Sequence, residues 1–176
     1  MKFQILFFST VFALFASSGS IYDIQVSAID GNQVSLALYQ GKKIIITAFD
    51  GAVPDVNQLV FLDSLQTAND SIVVIAVPAT DFSGSKSLQE LIGLRDSLNL
   101  HFLITMPSAV KKTSNTNQLQ LFKFLTNANE NGHFDEEVEE PDQLYFITSN
   151  GTSYSLLKKE TPHNIINDVL HQQVNN

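Results

Sequence analysis

Two long apolar segments constrain the fold of this chain more than any other feature. They cover residues 44–48 and residues 71–79, and neither contains a charged residue. Continuous apolar runs of this kind are typical of strands that are buried on both faces of a sheet. Between them lie a turn rich in Asp, Gly and Pro and an amphipathic segment that opens a helix. We therefore expect a β-α-β unit in which residues 44–49 and 71–79 are adjacent central strands.

Strand patterns also occur near both ends of the chain. A first hairpin is predicted from strands at residues 22–29 and 33–38, which flank the turn signal Asp30-Gly31-Asn32. A second hairpin is predicted from strands at residues 144–148 and 154–157, joined by Ser149-Asn150-Gly151. The chain contains no internal repeat and no linker long enough to divide it into domains.

Three further helices are indicated after the β-α-β unit. The first is indicated by residues that recur at helical spacing, namely Leu88, Leu91, Ile92, Arg95 and Leu98. The second is short and covers residues 119–125. The third is predicted to begin with Thr161 as its cap and Pro162 in its first turn. Its predicted buried face consists of Ile165, Ile166, Val169 and Leu170.

Residues 1–20 have the pattern of an export signal. Lys2 supplies the positive start, residues 3–15 form an apolar stretch, and residues 16–20 are small, as a cleavage site requires. The alternative is an N-terminal membrane anchor, although the apolar stretch is shorter than the roughly 20 residues of a spanning helix. We expect an exported mature domain, residues 21–176, in a periplasm or outside the cell, without stable membrane insertion.

The composition excludes several classes of function. A chain of 176 residues with 44% hydrophobic and 16% charged residues suits one globular domain. The net charge of −8 argues against nucleic-acid binding, because no basic patch is available to replace phosphate counterions. The absence of cysteine excludes disulfides, thiolate metal sites and iron–sulfur clusters. The four histidines are scattered, and no phosphate-binding glycine motif is present. We expect no cofactor.

The segment from residue 41 to residue 65 resembles the active-site signature of the glutathione peroxidase family. Gly41 and Lys42 match the Gly-Lys before the family's central strand, and Gln58 matches the glutamine of the following helix. The resemblance extends over about residues 21–171. It implies an α/β thioredoxin-like fold, with a central mixed β-sheet flanked by helices and an N-terminal β-hairpin.

Other residues occupy the positions that match the family's catalytic set. The peroxidatic cysteine or selenocysteine falls on Val53, and the glutamine that hydrogen-bonds the sulfur falls on Asp81. The family's Trp-Asn pair falls on Glu140 and Pro141, and the resolving cysteine is absent. A peroxidase of this type needs a thiolate that attacks the peroxide, and an isopropyl group cannot replace it. The resemblance therefore implies a degenerate member without catalytic residues.

Acidic residues are frequent near these positions. Asp50, Asp55, Asp81 and Glu140 are expected around the former pocket, with Asp55 and Asp81 facing each other. Carboxylates in such a cluster can bind a hard cation such as Ca²⁺, which makes Asp55 and Asp81 candidate metal ligands. In the alternative, which we favour, they cap the helix and face water. The acidic run 135–142 is likewise expected to be a solvated loop.

Three functions are open from the sequence. The first is a non-catalytic binding or interaction module, whose partner is an unknown protein or a small apolar ligand. The second is a role in oxidative stress, through binding of a peroxidised ligand or a redox partner. The third is thiol-free chemistry at the acidic pocket. An apolar pocket at Val53, Phe82 and Phe49 favours ligand binding, whereas a filled, convex site favours interaction with a protein.

Overall fold

The computed structural model describes residues 19–172, apart from the side chains of residues 115 and 116. Its strands are β1 (Gln25–Ser27), β2 (Gln33–Ser35), β3 (Lys43–Asp50), β4 (Ile72–Ala79), β5 (Leu103–Ile104), β6 (Leu144–Ile147) and β7 (Ser153–Leu157). Its helices are α1 (Val56–Ala68), α2 (Leu88–Ser97), α3 (Gln120–Thr126), α4 (Ala128–Asn131) and α5 (His163–His171). The predicted export signal lies outside the described residues, except for its last two.

Strands β3 to β7 form one mixed sheet in the order β5-β4-β3-β6-β7. β3 is parallel to β4, and β4 is parallel to β5, whereas β6 is antiparallel to both β3 and β7. The two apolar segments are therefore adjacent strands inside the sheet, and α1 connects them, as predicted. β1 and β2 form a separate antiparallel hairpin.

Both faces of the sheet are buried. Successive side chains of a strand point to opposite faces, so Ile44 and Ile46 of β3 belong to one core cluster and Ile45 and Phe49 belong to the other. The N-terminal hairpin and α3 pack into the first cluster. Helices α1, α2 and α5 pack into the second. Because a strand covered on both faces needs apolar residues at every position, this arrangement explains the two continuous apolar runs.

Both predicted strands of the N-terminal hairpin are cut short by 3-10 turns, which cover Ile21–Asp23 and Leu36–Tyr39. A serine hydroxyl begins each turn, because Ser20 Oγ and Ser35 Oγ each accept the backbone N–H two residues further along the chain. Such local hydrogen bonds compete with the pairing of strands. The predicted strands therefore begin too early and end too late.

Helix α5 differs from the prediction at its first turn. Pro162 occupies the N-cap position, and no side chain caps the helix. Thr161 donates its backbone N–H to the carbonyl of Lys158 and so belongs to the preceding turn. The ring of His163 stacks on Phe61 of α1, with 3.5 Å between the ring centroids. The prediction of Thr161 as a cap is wrong, and a ring contact holds this end of the helix.

The buried face of α5 is also narrower than predicted. Ile166, Val169 and Leu170 are buried, but Ile165 is 40% exposed. The buried residues follow one side of the helix at spacings of three and four residues, and Ile165 lies outside that stripe. Helices α2 and α3 and the second hairpin are confirmed at their predicted places.

Candidate functional site

A turn at residues 51–54 connects the central strand β3 to α1. The carboxylate of Asp50 accepts the backbone N–H groups of Ala52, at 2.9 Å, and of Val53, at 3.1 Å. The side chain of Val53 is 71% exposed. The position that resembles the peroxidatic residue thus lies just before α1 and presents an isopropyl group to solvent.

Asp55 caps α1. Its Oδ1 accepts the N–H groups of Asn57 and Gln58, at 3.1 and 3.3 Å, and so satisfies two of the free donors of the first helical turn. Its Oδ2 lies 3.5 Å from the Nζ atom of Lys159. Both oxygens of this candidate metal ligand are therefore engaged by groups of the chain itself.

The turn packs closely against a second loop, residues 83–86. Gly51 donates its N–H to the carbonyl of Ala79 at 3.1 Å, and its own carbonyl accepts the N–H of Lys86 at 2.9 Å. A Cβ atom at residue 51 would lie 2.7 Å from the Oγ atom of Ser85. Glycine at this position therefore allows the two backbones to approach.

Asp50 is held in its ionised form. Burial acts to raise its pKa, but hydrogen bonds from Ser83 and from the amides of Val53 and Ala52 together lower the pKa below its ordinary value. The negative charge of Asp50 is thus shared among donors of both loops, directly beneath the turn that carries Val53.

The carboxylate of Asp81 binds a third loop, residues 110–114, through hydrogen bonds. Its Oδ2 accepts the N–H groups of Val110 and Lys111, each at 2.9 Å, and the hydroxyl of Ser114, at 2.8 Å. Ser114 lies in the 3-10 turn Lys112–Asn117. Asp81 and Asp55 thus hold different segments, and the expected pairing of the two is not among the contacts of the described residues. The proximity of Asp81 to Val53 stays a prediction.

Glu140 and Pro141 lie in the loop before β6. Glu140 Oε1 accepts the backbone N–H of Lys159 at 3.3 Å, and the N–H of Glu140 donates to Gln143 Oε1 at 3.4 Å. A carboxylate accepts hydrogen bonds and a proline side chain makes none. The donors that the resemblance places at these two positions are therefore missing.

Asp142 differs from its acidic neighbours because it lies in the protein interior. Its side chain is only 2% exposed, and its φ is 66°, in the left-handed region that few residues other than glycine adopt. Its N–H donates to the carbonyl of Ala48 at 2.6 Å. Its Oδ2 accepts a hydrogen bond from Lys159 Nζ at 3.0 Å, and its Oδ1 is buried without a partner. The expectation of a solvated acidic run is therefore wrong at Asp142.

Burial raises the pKa of Asp142 above its ordinary value. The hydrogen bond and charge of Lys159 lower the pKa but do not offset burial, and the charges of Asp55 and Asp50 raise it further. The pKa of Lys159 is raised in turn, chiefly by its hydrogen bond to Asp142. Sequence reasoning missed Asp142, because its burial depends on the register of β6 beside β3, and the one local signal is its place two residues before an apolar strand.

These side chains form what we call the Asp142 cluster, namely Asp50, Asp55, Asp142 and Lys159. The cation within it is the ammonium group of Lys159. Among residues 19–172, no three His, Asp or Glu side chains are arranged to hold a metal ion. The cluster therefore offers charges and one buried acid whose pKa is raised, and it contains no thiol.

A groove of about 650 Å³ lies at the end of the sheet opposite Val53, beside the first residues of β4. His101 is among its lining residues. Asp63 of α1 accepts the backbone N–H of His101 at 2.6 Å, and its other oxygen lies 3.1 Å from the Nδ1 atom of the ring. These two contacts fix the segment before β5 to α1. We assign His101 a structural role, because its two contacts with Asp63 hold this segment to α1.

No protein-family model and no curated protein sequence matches this chain. Solved structures do match it. Trgpx in its apo form has a TM-score of 0.64 and 19% identity, over 86% of this chain and 93% of that chain. T. cruzi GPX1 has a TM-score of 0.65 and 16% identity, over 86% and 94%. A secreted Mycobacterium tuberculosis disulfide oxidoreductase homologous to E. coli DsbE has a TM-score of 0.56 and 13% identity, over 84% and 93%.

These matches define the class of the protein, which has a thioredoxin-like fold. Within that class, Trgpx and T. cruzi GPX1 agree with the glutathione peroxidase resemblance that residues 41–65 predict. The identities are low, so the agreement concerns the fold. In the described part of the chain, no helix has both the length and the apolar character needed to cross a membrane.

Proposed function

We propose that this protein is a non-catalytic binding module built on a glutathione peroxidase-like, thioredoxin-like fold. The observation that carries the proposal is Val53, which stands before α1 in place of a sulfur residue and is 71% exposed. The entire chain contains no cysteine, so no other thiol can take over. Peroxide reduction of the thiol type requires a nucleophile that this chain does not contain.

The electrostatics around Val53 support the same conclusion. The N-terminus of a helix stabilises a thiolate through its free N–H groups and its dipole. Here Asp55 accepts the first N–H groups of α1, and Asp50 accepts the N–H of Val53. Carboxylates therefore already occupy the donors that would otherwise act on an anionic sulfur.

The surface around Val53 supports interaction with a protein more than enclosure of a small ligand. Val56 and Val60, which lie one turn apart on the same face of α1, are also exposed apolar residues. We call these two and Val53 the Val53 surface. Phe49 is fully buried, and the ring of Phe82 is covered by Lys111, whose Nζ lies 4.5 Å from the ring centroid.

Export is part of the proposal. The pattern of residues 1–20 supports it, and some proteins of similar fold are described as secreted or exposed, among them the M. tuberculosis oxidoreductase and a pneumococcal lipoprotein. Cell fractionation followed by N-terminal sequencing tests this part. A mature N-terminus near residue 21 outside the cytoplasm supports export, and protein that stays in the cytoplasm with an intact Met1 overturns it.

Activity assays test the absence of catalysis. We expect no turnover of hydrogen peroxide or lipid hydroperoxides, with glutathione or thioredoxin as donor, above a heat-denatured control. Turnover by the metal-free protein would overturn the proposal and would favour thiol-free chemistry at the Asp142 cluster.

A matched pair of variants tests the binding role. Val53→Asp places a charge on the Val53 surface, and Leu38→Asp places one on an equally exposed residue, at 73% against 71%, in the turn before β3. Proteins from the exported fraction are captured on each variant and on the unmodified protein. A partner that Val53→Asp loses and Leu38→Asp keeps supports the proposal. A capture profile that neither variant changes overturns the assignment of this surface.

A further inference from the structure

Lys159 joins three separate segments at the end of the sheet that carries the Val53 surface. It lies in the connection between β7 and α5. Its Nζ is 3.0 Å from Asp142 Oδ2 and 3.5 Å from Asp55 Oδ2, and its backbone N–H donates to Glu140 Oε1 at 3.3 Å. One lysine therefore ties the β7–α5 connection both to the cap of α1 and to the loop before β6.

Asp55 and Asp142, the two carboxylates that hold Lys159, differ in exposure and in the number of their hydrogen bonds. Asp55 is about one-third exposed, and its other oxygen accepts two amide hydrogen bonds, so its charge is well satisfied. Asp142 is buried, has one partner for its two oxygens, and keeps Oδ1 unpaired in the interior. An ionised carboxylate with an unpaired buried oxygen is costly, and protonation lowers that cost because a neutral group is less costly to bury.

The charged groups that face Asp142 come from each element packed against it. Lys159 favours the ionised form, whereas Asp55 at the start of α1 and Asp50 at the end of β3 favour the protonated form. Asp50 keeps its own charge because several donors bind it. Of Asp50 and Asp142, Asp142 is thus the carboxyl group that acid protonates at the lower cost.

We propose that Asp142 and Lys159 form a proton-operated clamp: ionised Asp142 holds the β7–α5 connection against β3 and α1, and protonated Asp142 releases Lys159 to Asp55 alone. The step consumes one proton from solvent, which adds to a carboxylate oxygen of Asp142, and no other bond is made or broken. The clamp is independent of any partner. Its second consequence, a change at the Val53 surface through the cap residue Asp55, rests on the proposed function.

The test follows the carboxyl carbons and backbone amides of the partner-free protein by NMR as the pH is lowered. We expect the Asp142 carboxyl, assigned by its loss in Asp142→Asn, to titrate above the ordinary aspartate value. We also expect the amides of residues 55–58 and 158–161 to shift with the same midpoint. Asp142→Asn suits this test because asparagine adopts left-handed backbone more readily than most residues and imitates the protonated acid.

Two lysine variants separate the clamp from a general effect of acid. Lys159→Met should remove the amide transition at residues 55–58, whereas Lys158→Met, which changes the neighbouring exposed lysine, should leave it intact. The proposal is overturned if Asp142 titrates at or below the ordinary aspartate value. It is also overturned if an amide transition at residues 55–58 that shares the midpoint of Asp142 persists in Lys159→Met. Neither result depends on a binding partner, so a failure of the clamp and a failure of the proposed function are distinguishable.

Discussion

The central strands and the loops at their carboxyl ends are held by different forces. β3 and β4 are fixed by apolar side chains that are buried on both faces of the sheet. The loops are fixed by aspartates, since Asp50 binds the amides of the turn, Asp55 those of α1 and Asp81 those of residues 110 and 111. A loop built in this way needs no sulfur residue to keep its shape, because carboxylates accept the hydrogen bonds of its amides.

The strongest test of this comparison removes a side chain from the core. Ile46 of β3 is fully buried, and Ile46→Ala should lower the free energy of unfolding by about 2–5 kcal/mol, because it leaves a cavity. The exposed Val60→Ala should change it by less than about 0.5 kcal/mol. Urea denaturation measures both values, and a loss below about 1 kcal/mol for Ile46→Ala would show that the core tolerates cavities unusually well.

The loops should be less sensitive than the core. Asp81→Ala should cost about 1–3 kcal/mol, because the amides of Val110 and Lys111 and the hydroxyl of Ser114 lose their acceptor. Hydrogen exchange should become faster at residues 110 and 111 and stay unchanged in β3. A loss spread evenly over β3 and β4 would show that the loops and the strands are one cooperative unit.

The Asp142 cluster should show a stability difference that depends on pH. Lys159→Met should cost about 1–3 kcal/mol near neutral pH, below the range for fully buried pairs because Lys159 is about one-third exposed. Burial raises the pKa of Asp142, so the protonated form of Asp142 stabilises the folded protein. This contribution to the free energy of unfolding is complete below the ordinary aspartate pKa and is lost as the pH rises through the raised pKa. The deficit of Lys159→Met should therefore shrink as the pH falls, in thermal unfolding recorded beside Lys158→Met. A deficit that is constant with pH would contradict this.

The smallest effect is expected from placing a cysteine at residue 53 without any other change. Val53→Cys should leave stability within about 0.5 kcal/mol, because the site is exposed, and should give little peroxide turnover. Asp50 and Asp55 already use the donors at this helix start, and their negative charges disfavour a thiolate. The rate of alkylation against pH measures the pKa of the new thiol, and strong peroxidase activity of this single variant would show a pocket that is still competent. Asp81→Gln, which introduces the glutamine that the resemblance places at this position, should in addition loosen residues 110 and 111.

The sequence predicted the sheet well because its information there is local. The apolar runs of β3 and β4 and the helical spacing of α2 each specify their own element without reference to distant residues. The contacts at the site depend on residues far apart in the chain, such as Asp142 and Lys159 or Asp81 and Val110. An aspartate in an acidic run has the same local pattern whether it is solvated or buried, so burial of Asp142 follows only from the folded topology.

The contacts of residues 21 and 22 determine which end of the sheet faces a support when the protein is attached through its N-terminal side. Ile21 is fully buried, the hydroxyl of Tyr22 donates to the carbonyl of Ser149 at 2.9 Å, and a Cβ atom at Gly151 would lie 2.8 Å from the ring of Tyr22. The start of the domain is thus seated on the β6–β7 turn. Since β6 is antiparallel to β3, that turn lies at the end of the sheet opposite Val53. A molecule tethered through this end would stand with the Val53 surface pointing away from its support.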